Sequence, residues 1–103
     1  GTVTITLVYE GGGSNNFRLA CGGASLTVGT PGQLTTTANE VDNAATVSSY
    51  NGLARYTGAT GLTVGATTDM LRIYAARNGD DAADNSTNTC YLLGIELNYT
   101  ASG

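Results

Sequence analysis

Met70–Thr100, MLRIYAARNGDDAADNSTNTCYLLGIELNYT, is the stretch on which the fold turns. MLRIYAA places Leu71 and Ile73 on one face and Met70 and Tyr74 on the other, as in a strand covered on both sides. The polar run RNGDDAADNSTNT follows, rich in residues that tolerate turn geometry. In CYLLGIELNYT, Leu93, Ile95, Leu97 and Tyr99 then alternate with Gly94, Glu96 and Asn98, the two-residue period of a half-buried strand. Strand, connection, strand: this end of the chain predicts an all-β domain.

The rest of the chain repeats the pattern. Thr2–Tyr9, TVTITLVY, alternates Val3, Ile5, Leu7 and Tyr9 against threonines, and β-branched residues suit a pleated surface. Glu10-Gly-Gly-Gly-Ser-Asn-Asn16 breaks that run with a flexible turn. Phe17, Leu19 and Cys21 resume the alternation, and residues 24–28 form a short strand stopped by Gly29-Thr-Pro-Gly32. Gln33–Thr37 is a further candidate strand, and Ala38–Ala45 one turn of helix or a loop. Thr46–Tyr50 and Leu53–Thr57 flank Asn51-Gly52, a hairpin signal, and Leu62–Val64 reads as an edge strand. Seven or eight short strands predict a single antiparallel β-sandwich or barrel over residues 1–103. In such an arrangement the terminal strands, Val3–Tyr9 and Leu93–Tyr99, lie close together.

Length and composition agree. At 103 residues the chain suits one domain, which at this size buries roughly 65% of its unfolded surface. Fifteen glycines and many threonines displace helix formers, and no window carries a sustained helical apolar stripe. Four arginines, no lysine and no histidine face eight acids, for a net charge of −4. Nucleic-acid binding needs clustered cations to displace counterions, and Arg18, Arg55, Arg72 and Arg77 are dispersed, so no nucleic-acid partner is expected. No run of 18 apolar residues occurs, so neither a spanning helix nor a membrane partner is expected.

The chemistry available is limited. Without histidine, neither a Ser-His-Asp nor a Cys-His arrangement is possible within the chain, and no phosphate-cradle or zinc-protease motif occurs. The expectation is a protein that is not an enzyme and carries no cofactor. Asp80, Asp81 and Asp84 concentrate hard oxygen ligands that a Ca²⁺ site would use, but their spacing is not that of an EF-hand loop, and a solvated turn is the better reading, so no metal is expected. Cys21 and Cys90 are expected to pair as a disulfide in an oxidising environment, with two buried free thiols as the alternative. Six tyrosines and no tryptophan leave Tyr50, Tyr56 and Tyr91 as candidate sugar-stacking rings, while Tyr9, Tyr74 and Tyr99 fall on apolar phases that suit a core or interface.

LRIYAARNGDDAADNSTNTCYLLGIELNYTA resembles the C-terminal end of small structural proteins encoded beside tailed-bacteriophage capsid genes. In these a strand ending in Arg enters a D-A-A-D loop, and a strand of the form L-L-G-[IV]-x-[LIV]-x-Y closes the domain. Jelly-roll capsid decoration, or cement, proteins are among them. The resemblance implies that the sandwich is jelly-roll-like and forms a homotrimer on the outer surface of a virion, holding subunits of the major capsid protein together, with no catalytic residues. Two other readings fit an all-β chain of this composition: a filament subunit donating Thr2–Glu10 to a neighbour's sheet, and a carbohydrate-binding module.

Overall fold

In the computed structural model, which describes residues 1–29 and 40–101, one 25-residue strand is the spine of the protein: β1 (Thr2–Leu26). β2 (Glu40–Thr57), β3 (Leu62–Thr63), β4 (Met70–Arg77) and β5 (Tyr91–Thr100) all pair with it, and every pairing is antiparallel. The fold is all-β with an open five-stranded sheet, and no helix occurs among the described residues.

The strand count is lower than the seven or eight expected, because strands that look separate in the sequence merge. Thr2–Tyr9, Phe17–Cys21 and the start of residues 24–28 are parts of β1. Thr46–Tyr50 and Leu53–Thr57 are both in β2, and Asn51-Gly52 is not a hairpin turn. Residues 40–45, expected as a helical turn or loop, are strand. The candidate strand Gln33–Thr37 lies outside the described residues.

The merged strands meet at a corner. Gly11 of β1 sits opposite Tyr50 and the next pair is Asn16 with Ser48, so β1 advances five residues while β2 advances two. The excess is taken up at Gly13 (φ 94°) and Asn15 (φ 76°), residue types that enter the left-handed region at low strain. Asn51-Gly52 absorbs the opposite mismatch in β2, between Ala54 opposite Tyr9 and Tyr50 opposite Gly11. The turn chemistry in both segments is used to bend paired strands.

Bending brings the two halves of β1 together. Cys21 Sγ lies 3.9 Å from the Ile5 carbonyl oxygen, and the Tyr9 and Phe17 rings meet edge to face with centroids 6.4 Å apart. Val3, Ile5, Leu7 and Tyr9 from one half join Phe17, Leu19 and Cys21 from the other, with Tyr56, Ala59 and Leu62, in one buried cluster. Thr2–Tyr9 lies between β2 on one side and β5 on the other, with Val3 opposite Tyr99 and Ile5 opposite Leu97. The terminal strands are therefore neighbours, as expected, although that expectation rests on a sandwich arrangement and the observed sheet is open. Among the described residues β4, expected to be covered on both faces, pairs with β1, and it is half-buried through its middle.

Candidate functional site

The connection between β4 and β5 is organised by Arg77, the last residue of β4. Its guanidinium donates to both Asp84 carboxylate oxygens, at 2.7 and 2.9 Å, and to the carbonyls of Ser86 and Asn88, each at 2.8 Å. It also lies 4.6 Å over the Phe17 ring, a cation–π position. Asp84 accepts a further bond from the Arg18 backbone N–H at 2.9 Å, and its side chain is only 2% exposed. Asn85 closes the attachment: its Oδ1 accepts from Asn16 N–H, and its own N–H donates to the Asn16 carbonyl. The loop is thus fixed to the far side of the corner in β1. Hydrogen bonds from Arg77 hold the Asp84 carboxyl at about 2, below its ordinary 3.8, and the same pairing raises the Arg77 pKa.

That arrangement occupies two of the three loop acids, and Asp80 is exposed at the turn. Asp84 is committed to Arg77 and the β1 backbone. Asp81 accepts from the Ala83 N–H at 2.8 Å and lies 3.7 Å from Arg18, the geometry of a turn cap. Among the described residues no three acidic, cysteine or histidine side chains are gathered around a common point.

Cys21 and Cys90 are both free thiols, so the expected disulfide is corrected. Cys21 is buried against Ile5, whereas Cys90 lies by Tyr9 and Arg77. Burial raises the Cys90 thiol pKa.

Cys90 marks the mouth of an open cleft of ≈ 160 Å³. Leu7, Tyr9 and Leu92 line one side, and Leu19, Ala75, Ala76 and Arg77 the other. Of β5 the cleft touches Leu92, the first of an exposed apolar row. Leu92 and Leu93 are each 52% exposed, Ile95 42%, Leu97 49% and Tyr99 59%. Opposed residues of an antiparallel pair share a face, so Ile95 and Leu97 share that of the buried Leu7 and Ile5. Alternation identifies the row as one face but not its exposure, because it reports phase rather than what lies opposite. On the other face Glu96 accepts from Arg55 Nε at 3.1 Å, an exposed pair of small energetic value.

The tyrosines divide differently from the expectation. Tyr56 is buried, while Tyr50 and Tyr91 are exposed on strands that flank β1 from opposite sides. Tyr9 is core, Tyr99 is exposed, and the Tyr74 hydroxyl donates to Asp42. Residues Thr2–Glu10 pair with β5 along one edge, and on the other Thr6–Tyr9 pair with β2 and Thr2–Val3 with β3, so strand donation would first have to dismantle the sheet.

Comparison with protein-family models, curated proteins and solved structures gave no match.

Proposed function

We propose that this protein is a non-enzymatic structural component of a tailed-phage virion, decorating the outer capsid surface and binding it together. The observation that carries the reading is the apolar row of β5. Five large side chains, each roughly half-exposed, run beside an apolar cleft, and contiguous apolar surface of this kind marks a protein–protein contact. In this reading the folded sheet is a minimal jelly-roll-like sandwich whose open side is closed by other chains. The partners are further copies, in the three-fold arrangement implied by the C-terminal resemblance, and the major capsid protein beneath them. Lysine-free, threonine-rich strands suit close packing among identical neighbours.

The direct test uses emptied heads of the virus that encodes the chain, prepared without it. Purified protein should pellet with the heads at a fixed stoichiometry and raise the temperature at which they break. Failure to pellet at micromolar concentration would contradict the capsid role.

A further inference from the structure

We infer that the free edge of β5 is a two-fold contact surface that pairs antiparallel with β5 of a second copy, centred on Ile95. Among the described residues β5 pairs with β1 alone, leaving its other edge without a strand partner. Natural edges are usually protected by lysine, proline or inward-pointing charge. This one has none: the only charged residue of β5 is Glu96, held by Arg55 on the opposite face from the apolar row.

The occupant is indicated by the sequence of the strand itself. A two-fold axis through Ile95 in Leu93-Gly-Ile-Glu-Leu97 places Leu93 opposite Leu97 of the partner, Ile95 opposite its own copy, and Gly94 opposite Glu96. Apolar residues meet apolar residues, and each carboxylate meets a glycine. Moving the axis to Glu96 would oppose two carboxylates, which is destabilising in a cross-strand pair. An isologous contact requires this self-complementarity. In the β1–β5 ladder Val8 faces Gly94 and Tyr9 faces Leu92, so Leu93 is the irregular residue; regular pairing is assigned to residues 94–96, with Leu93 and Leu97 meeting at its ends. Each apolar row then shields the other, side by side in one continuous sheet.

The contact does not depend on the capsid reading. It can join two free copies, or join neighbouring trimers, since two-fold and three-fold contacts coexist in closed assemblies. Three-fold packing of the row and its burial against a capsid protein are the competing occupants.

Directly opposed Cβ atoms lie about 4.5–5.5 Å apart, close to what a disulfide spans. In a Cys90→Ser background, with Cys21 buried, an Ile95→Cys substitution should give a covalent dimer under mild oxidation. A Glu96→Cys substitution places its thiol opposite Gly94 and should cross-link about tenfold less. Ile95 is partly exposed, so Ile95→Arg should keep the native far-UV circular dichroism spectrum while halving the copy number, and its melting temperature should lose the concentration dependence of the paired form. Equal cross-linking at both positions, or an Ile95→Arg protein with the wild-type mass, would overturn the two-fold contact. Three-fold packing of the row would instead reduce the Ile95→Arg mass to one third, and association with the capsid alone would leave a wild-type monomer; either overturns the two-fold contact, and pelleting with heads reports separately on the capsid role.

Discussion

As the pH falls from about 5 to 2 the protein should lose the contribution of Asp84. Its folded pKa of about 2 lies below the ordinary 3.8, so the contribution is complete above the unfolded value and disappears as pH falls through the folded one. A carboxyl held that far below its ordinary value contributes roughly 2 kcal/mol at neutral pH. Asp84→Asn should flatten this acid limb in urea titrations at successive pH values. It should also cost about 2–4 kcal/mol at neutral pH by leaving Arg77 without its bidentate partner. Tyr56 predicts the opposite sign: its hydroxyl is buried with no hydrogen-bond partner, so Tyr56→Phe should stabilise by about 1 kcal/mol in thermal melts. Because both cysteines are free, reductant should leave the melting temperature unchanged. The strand phase makes Cys21 legible as buried. Whether it meets Cys90 depends on where the sheet folds, which neither cysteine encodes. Arg77 is visible in the sequence only as an arginine before an acidic loop, and nothing local identifies Phe17 as the ring beneath it.

At the scale of elements, close approach of β1 and β4 rests on glycine. A Cβ at Gly23 would lie 2.6 Å from the Arg72 carbonyl oxygen and 2.9 Å from Ile73 Cδ1. Because the first of these is backbone, Gly23→Ala must displace β4, and a loss of about 1–3 kcal/mol is expected in denaturant melts. Hydrogen exchange should show faster opening of residues 70–77 than of residues 2–10, which are paired on both sides. Strand phase in β1, β4 and β5 can be read from alternation because half-burial imposes it residue by residue. Strand ends cannot. Gly-Gly-Gly-Ser-Asn-Asn and Asn-Gly carry ordinary turn chemistry, and only the tertiary pairing of β1 with β2 converts both into a corner. Apolar residues on both faces of β4 suggest a central position, and among the described residues its ladder is the one with β1.

The whole molecule is more extended than its length requires. Its radius of gyration is 15.2 Å, against about 13 Å for a compact domain of this size. Its long axis is 45 Å and its short axis 17 Å. One bent strand pair supplies the core, and the apolar face of β5 extends beyond what that core covers. All-β architecture and the proximity of the two ends are legible from periodicity. The incompleteness is not, since a face buried by another chain has the same alternation as one buried by its own. The native mass of the wild-type chain, measured by light scattering after size exclusion across micromolar concentrations, tests self-association most directly. Pairing through β5 predicts an even number of 10.4 kDa chains: two, or six where three-fold contacts also form. A monomer at every concentration would contradict self-association through β5, and a bare trimer would contradict its two-fold form.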